Sequence, residues 1–253
     1  MKKGGQRVSY LDNVKDISEL GQRKLVVIWG KSNTGKTEVG STWPKPQLYV
    51  QVGDDGSNTI RNKKDIKGTR ADTIETAKGI LKELIKAKGA GYESVFVDTF
   101  SMLTNVWVDE NAVQKKKKMT QQMWGDLKTE TEEIIRLAYK LSLYTWVILS
   151  CHEAMDTVEG MEDEILPDAR PSTTKGARTY LEGMANYGFH TTRLKKEIVE
   201  DGVEKTVVKY AMHIGPNPYY WTKLQTPKEI KVPSIITNPT FSKLKKLGLM
   251  GEE

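Results

Sequence analysis

The sequence has almost no cysteine and no long apolar run. Cys151 is the only cysteine among 253 residues, so an internal disulfide and a cysteine-rich zinc site are both excluded. No segment approaches the roughly 18 consecutive apolar residues of a membrane-spanning helix, and the first residues lack the apolar core of a signal peptide. We therefore expect a cytoplasmic protein with no membrane partner. Because no low-complexity segment divides the chain, we also expect one large domain with a well-buried core.

Positive charge is in modest excess over negative charge. The formal net charge is +6, which favours a polyanionic partner. Four lysines form one run, at Lys115, Lys116, Lys117 and Lys118. Such a run is either a solvated, mobile face or a loop that contacts the phosphates of a nucleic-acid strand, and the sequence leaves both interpretations open.

The clearest motif is GKSNTGKT at residues 30–37, directly after the apolar run KLVVIW. It fits G-x-x-x-x-G-K-[ST], a loop whose glycines let backbone amides approach phosphate oxygens. The lysine of the motif would contact the β- and γ-phosphates, and the last hydroxyl would help hold a magnesium ion. We therefore predict a nucleoside triphosphate bound by Gly30, Lys31, Ser32, Asn33, Thr34, Gly35, Lys36 and Thr37.

Three further predicted strands end in polar side chains. Residues 94–98 end in Asp98, the usual form of a second nucleotide motif, which predicts a magnesium site made by Thr37 and Asp98. Residues 144–150 lead into His152, which either senses the terminal phosphate or is a satisfied histidine at a strand end. Residues 47–52 lead into Asp54 and Asp55, which form either a simple turn or a ligand-binding group.

The rest of the chain alternates helix and strand patterns. Residues 72–85 and 123–141 have the apolar spacing of amphipathic helices. Residues 154–178 have no apolar period and are predicted to form a long loop beside the site. Residues 187–199 and 203–213 flank an Asp-Gly pair and are predicted to form a β-hairpin.

The C-terminal part carries an aromatic cluster at residues 219–221 and a capped basic helix at residues 238–247. The aromatic side chains are expected either to stack on bases or to form a hydrophobic edge or a subunit contact. The predicted division is a flexible lead-in at 1–23 and one domain at 24–253. Within that domain we expect a core at 24–193 and a hairpin with a basic tail at 194–253.

The ordered segments VVIWGKSNTGKT, LYVQVGDDG, SVFVDTFSML, WGDLKTETEEIIRLAYKL and WVILSCHE resemble the compact RecA-like ATPases of bacteriophages, which include single-strand annealing recombination proteins. The resemblance runs from about residue 24 to 193, and more faintly through 222–247. It implies an α/β fold: a RecA-like P-loop NTPase core with a mostly parallel central sheet flanked by helices, plus a C-terminal β-hairpin.

The resemblance also implies partners and cofactors. It implies ATP and Mg²⁺ as cofactors and single-stranded DNA as the ligand, in annealing or strand pairing. It further implies a homo-oligomer, as a ring or filament, in the cytoplasm of a bacterial host. A single-stranded-DNA-binding protein is an expected partner.

Residue roles follow from the same resemblance. Asp55 would activate the attacking water, although the family more often has glutamate there, and the shorter side chain predicts slow hydrolysis. Asp98 would hold magnesium, and His152 would report the γ-phosphate to the segment that follows it. Lys223 would act in trans, but Gln225 replaces the arginine of the family's Lys-x-Arg pair. The candidate DNA-binding residues are Lys115, Lys116, Lys117, Lys118, Lys175 and Arg178.

Two other functions remain open at this stage. A P-loop kinase of a nucleotide or small molecule shares the loop but usually closes an arginine-rich lid, and here the candidate lid holds only Arg170 and Arg178. A nucleotide-gated DNA-binding scaffold with little hydrolysis is consistent with Asp55 and Gln225.

Overall fold

A mostly parallel β-sheet, covered on both faces, organises the chain. The computed structural model describes residues 22–53, 56–159, 165–200, 203–226 and 230–250. The strands within these ranges are β1 Leu25–Gly30, β2 Gln47–Gln51, β3 Ile66–Arg70, β4 Ser94–Asp98, β5 Trp146–Glu159, β6 Ile165–Pro171, β7 Tyr187–Glu200, β8 Val203–His213 and β9 Ile235–Thr237. The helices are α1 Lys36–Gly40, α2 Ile74–Lys86, α3 Met102–Val108, α4 Gln121–Leu141, α5 Lys175–Met184 and α6 Phe241–Lys246.

The sheet order places the phosphate-loop strand near its centre. The order is β3-β2-β4-β5-β1-β7-β8-β9, and the strands from β3 to β7 all pair in parallel. The hairpin strands β8 and β9 are antiparallel, and β6 pairs with the outer part of β5. Because parallel strands end at the same edge of a sheet, the ends of β1, β4 and β5 meet there.

Strand β1 is buried on both faces, as expected for a central parallel strand. Val27 and Trp29 pack into a core with helices α2 to α5, whereas Val26 and Ile28 pack into a second core that includes Leu244 of α6. The α/β fold predicted from the sequence, with a mostly parallel sheet flanked by helices, is therefore confirmed, and it is the fold of a P-loop NTPase core.

The two long helices lie where the apolar period predicts them. Their first turns are capped by threonine, because the hydroxyls of Thr73 and Thr120 accept hydrogen bonds from the backbone of the first turn of α2 and α4. The basic C-terminal helix α6 begins in the same way, at Thr240. No helix within the described ranges is long and apolar enough to cross a membrane.

One sequence expectation was wrong, and one strand was not predicted. Most of the described residues between 154 and 178 are not a loop: β5 continues to Glu159, β6 pairs with it, and α5 begins at Lys175. The apolar period is missing there because these strands are held by their own ladder and by ion pairs such as Arg170 to Asp168. Strand β3 was also missed, since an edge strand with exposed Lys67 needs no apolar run.

The predicted C-terminal hairpin is confirmed as β7 and β8, paired from His190 with His213 to Glu200 with Val203. The division expected after residue 193 falls inside β7, because the first residues of that strand pair with β1 and belong to the central sheet. Residues 1–21 of the expected lead-in lie outside the described residues.

The close packing of α1 on the sheet gives a stability prediction. An added Cβ at Gly40 would lie 2.4 Å from the Phe96 ring, whereas one at Gly79, inside α2, would meet nothing within 4 Å. We expect Gly40→Ala to lower the free energy of unfolding by about 1–3 kcal/mol through overpacking. Gly79→Ala is the matched control and should raise it by up to about 1 kcal/mol. Urea unfolding of both variants tests this, and equal effects would contradict it.

Candidate nucleotide-binding site

The loop at residues 30–37 is shaped by close contact with β7. Gly30 has φ of 153° and an added Cβ there would lie 2.4 Å from the Thr191 carbonyl oxygen, so only glycine fits. The hydroxyls of Thr191 and Thr34 lie 2.7 Å apart. The Thr34 hydroxyl also donates a hydrogen bond to the Lys31 carbonyl at 2.8 Å. Helix α1 begins at Lys36, the seventh residue of the loop, so its first amides belong to the segment that would face the phosphates.

The loop lysine is already directed at the loop backbone. Lys36 is buried, and its Nζ donates to the carbonyls of Gly30 and Lys31 at 2.9 and 2.8 Å. Burial lowers the pKa of Lys36, an effect that the charges of Asp98 and Glu153 oppose. The ammonium group therefore lies inside the loop, where a point charge can meet phosphate oxygens.

Asp98 and Thr37 meet at the carboxyl edge of the sheet. The Thr37 hydroxyl donates to Asp98 Oδ2 at 2.7 Å, and Tyr49 donates to the same oxygen at 3.2 Å. The hydroxyls of Thr99 and Ser150 donate to the other oxygen. These four donors hold the buried carboxylate in one orientation.

This donor set fits magnesium. Mg²⁺ prefers oxygen ligands and is often held by one carboxylate together with substrate phosphates. An added Cβ at Gly56 would lie 3.1 Å from Asp98 Oδ2 and 3.2 Å from the Thr37 hydroxyl, so the missing side chain leaves room beside both oxygens. Within the described ranges, no group of three or more His, Cys, Asp or Glu could hold a metal ion, so phosphates and water would have to complete the shell.

His152 lies level with Gly30 on the neighbouring strand β5. It lines the cleft that holds the phosphate loop, and it also lines a smaller cavity of about 200 Å³ beside it. Its backbone N–H donates to the Ser101 hydroxyl at 3.0 Å, which ties β5 to the segment that follows Asp98. His152 therefore lines both cavities, and its reporting role stays a prediction.

The phosphate loop opens into a cleft of about 940 Å³. Its walls include three side chains that the sequence analysis did not single out. They are Arg193 on β7, Tyr210 on β8 and Asn238 after β9. Arg193 and Tyr210 are paired across the hairpin, so both side chains are on the same face. The sequence predicted the hairpin but not the strand that lies next to it. Arg193 could have been placed near the phosphate loop only if β7 had been expected to pair with β1.

Other predicted site residues lie away from this cleft. Lys115, Lys116, Lys117 and Lys118 are all exposed, on the segment between α3 and α4. Lys175 is exposed at the start of α5. Arg178 is mostly buried and donates to Asp156, so its charge is already paired. Asp54 and Asp55 lie outside the described residues, and the role of Asp55 stays a prediction.

Lys223 and the aromatic cluster are tied into this chain. Lys223 Nζ donates to the carbonyls of Glu182 and Gly183, at the end of α5. Trp221 packs against Gly188, and Tyr220 stacks on His190 with ring centroids 4.0 Å apart. The aromatic residues 220 and 221 thus form an internal hydrophobic edge, while the trans-acting role of Lys223 stays a prediction.

A buried pair, His190 and Glu153, lies close to the start of the phosphate loop. His190 Nε2 lies 2.8 Å from Glu153 Oε2, and Lys31 of the loop lies 3.8 Å from the same carboxylate. Burial lowers the pKa of His190 to about 4, although its hydrogen bond to Glu153 acts in the opposite direction. Cys151, the only cysteine, is fully buried next to this pair, and burial raises its pKa.

This fold and site define a P-loop nucleotide-binding protein. A family model described as an AAA domain matches residues 22–223, which is most of the chain, and the chain therefore belongs to the AAA domain family. A search of curated proteins gives no match. The family is one of ATPases, which bind a nucleotide, usually with Mg²⁺. The narrower resemblance to phage recombination ATPases stays a prediction.

The buried histidine predicts a pH-dependent stability. The pKa of His190 is about 4 in the folded chain and near 6.5 when unfolded, so only the unfolded chain takes up the proton between these values. Stability should be full above pH 6.5 and should fall as the pH drops towards 4. We expect His190→Gln to flatten this slope, measured as free energy of unfolding by urea between pH 4.5 and 7.5. An unchanged slope would mean that His190 is not buried neutral.

Proposed function

We propose that this protein hydrolyses ATP and couples hydrolysis to the binding of single-stranded DNA in recombination, by annealing or strand pairing. The observation that carries the ATPase part is the convergence of Lys36, Thr37 and Asp98 in one cleft with the phosphate loop. A cationic loop beside an anchored carboxylate suits a nucleoside triphosphate with Mg²⁺ far better than an uncharged ligand.

Each side chain has a distinct task in this mechanism. Lys36 neutralises charge on the β- and γ-phosphates. Thr37 and Asp98 would hold a magnesium ion, which would supply further positive charge beside the same phosphates. Water attacks the γ-phosphorus, a new P–O bond forms, and the bond to the bridging oxygen of ADP breaks. Asp55 takes the proton of the attacking water, as the resemblance implies, and its short side chain makes this step slow.

Arg193 supplies positive charge from the same chain. It lines the cleft together with Lys36 and His152, and its side chain is exposed. The family's trans-acting pair lacks its arginine here, because Gln225 stands in that place. Arg193 fills the role of stabilising negative charge on the γ-phosphate in the transition state.

The DNA site lies on the side of His152 that faces away from ATP. The smaller cavity there is lined by His152, Trp124 and residues 172–174, and Trp124 is about half exposed. An exposed indole can stack on an unpaired base, and the four lysines 115–118 precede Trp124 in the chain. ATP in the larger cleft and DNA in the smaller cavity would both lie next to His152.

Assembly and partners belong to the same proposal. A homo-oligomer, as a ring or filament on DNA, would place Lys223 of one copy near the nucleotide of the next only if Lys223 leaves the carbonyls of α5. A single-stranded-DNA-binding protein is the expected accessory partner, and the setting is the cytoplasm of a bacterial host infected by phage.

A second candidate is phosphoryl transfer to an acceptor. The observation in its favour is the cavity of about 200 Å³ that shares His152 with the ATP cleft, because an acceptor there would be close to the γ-phosphate. Measuring free phosphate with and without single-stranded DNA separates the two functions. Release stimulated by DNA supports the first, and transfer without free phosphate supports the second.

Two variants test the assignment of the cleft. Lys36→Ala should abolish ATP binding, because it removes the charge that meets the phosphates. Arg193→Gln should keep ATP binding but lower the hydrolysis rate by about 10³-fold, the scale of a catalytic arginine. Calorimetric titration and phosphate release measure the two effects, with circular dichroism as the check of folding. Normal ATP binding by Lys36→Ala would refute the proposal.

The lysine run predicts a salt-dependent affinity for single-stranded DNA. Replacing lysines 115–118 by glutamine should lower the slope of log affinity against log salt by about 3, if all four contact phosphates. The matched control replaces the exposed Lys245 and Lys246 of α6 by glutamine and should leave the slope unchanged. Fluorescence anisotropy with a labelled oligonucleotide measures both, and an unchanged slope in the first variant would contradict the DNA role of this run.

A further inference from the structure

The order of the strands shows which residues lie at each end of the nucleotide cleft. Asp98 is on β4, His152 on β5 and the phosphate loop after β1, while Tyr210 is on β8 and Asn238 follows β9. All of these residues line one cleft. The magnesium residues therefore lie at one end of the cleft, and Tyr210 with Asn238 lies at the other.

The residues at the two ends of the cleft determine where the nucleoside part of a bound nucleotide would lie. The γ-phosphate belongs at the end with Asp98 and His152, because the magnesium residues are there. The α-phosphate and the sugar must then point towards β8. The cleft, at about 940 Å³, is large enough for a complete nucleotide rather than for phosphates alone.

Tyr210 lies beside the phosphate loop. An added Cβ at Gly35 would lie 3.2 Å from Tyr210 Cδ1, so the ring rests on the loop backbone. Tyr210 is nevertheless 46% exposed. A large aromatic surface that is fixed at one edge and open at the other is suited to stacking on a flat heterocycle.

Asn238 is held next to Tyr210. Its N–H donates to the Tyr210 carbonyl at 2.7 Å, and its φ of 46° is a conformation that asparagine tolerates. The following segment is tied to the end of α1, because the Phe241 N–H donates to the Thr42 hydroxyl at 2.9 Å. The exposed amide of Asn238 is thus carried on a fixed wall of the cleft.

We propose that Tyr210 and Asn238 form an adenine-binding subsite. The Tyr210 ring stacks on the base, and the Asn238 amide accepts from the N6 amino group and donates to N7. Guanine presents two acceptors at the matching positions, so one amide cannot satisfy both. This assignment rests on the proposed function, since it places the base of the same ATP molecule.

The test compares ligands that share phosphates but differ in the base. Binding of ATP, GTP and inorganic tripolyphosphate, each with Mg²⁺, is measured by calorimetric titration for the wild type, Tyr210→Ala, Tyr210→Phe and Asn238→Ala. We expect Tyr210→Ala to weaken ATP binding about ten-fold or more and to leave tripolyphosphate binding unchanged. Tyr210→Phe should bind ATP like the wild type.

Asn238→Ala should remove a preference for ATP over GTP that is about ten-fold in the wild type. Val208→Ala is the matched control, because Val208 is exposed on the same strand and face as Tyr210 but does not line the cleft. It should bind all three ligands like the wild type, which checks that the hairpin tolerates truncation.

Two results would overturn the subsite. One is equal loss of ATP and tripolyphosphate binding in Tyr210→Ala, and the other is equal affinity of the wild type for ATP and GTP. These results differ from failure of the proposed function, in which the wild type binds no nucleotide or Lys36→Ala binds it normally.

Discussion

The parallel pairing of β1 on both sides is the constraint on which the site depends. Gly30 ends this strand between His152 of β5 and Thr191 of β7. The backbone of β7 approaches so closely that no side chain fits at Gly30. The phosphate loop is therefore built against the sheet, and a shift of either neighbouring strand would deform it.

Both neighbours of β1 continue beyond it. Strand β5 extends to Glu159 and β7 to Glu200, and each is paired with an antiparallel return strand. The phosphate loop consequently lies between two hairpins. One of them carries His152 at its base and leads towards the smaller cavity, while the other carries Arg193 and Tyr210 over the larger cleft. The two hairpins therefore supply different kinds of side chain to the two sides of the site.

Much of this could be predicted from the sequence, for identifiable reasons. The loop at residues 30–37, Asp98 and His152 each follow an apolar run, and a parallel sheet brings such run ends together. The walls made by Arg193 and Tyr210 could not be predicted in this way, because they depend on which strand lies beside β1. Strand order is set by long-range pairing, and no local pattern in β7 or β8 reports it.

The extension of β5 to Glu159 was not predicted, for a different reason. Alternation and apolar content are the signals of a strand. Residues 154–159 do not alternate regularly, since Ala154 and Met155 are followed by Asp156 and Thr157, and their pairing partners are on β6. The ion pair of Arg178 could not be predicted on similar grounds, because Asp156 lies beside it only where β5 extends beyond the end of β1.

The burial of Cys151 has a practical consequence. The thiol is fully inside the sheet and its pKa is raised, so alkylating reagents that need a thiolate will react with it slowly. Since the chain has no other cysteine, a single one introduced at an exposed position of the β7–β8 hairpin, such as Lys195, would be the only readily labelled position. A fluorophore there would report hairpin movement from one known point, without any need to alter the native sequence elsewhere.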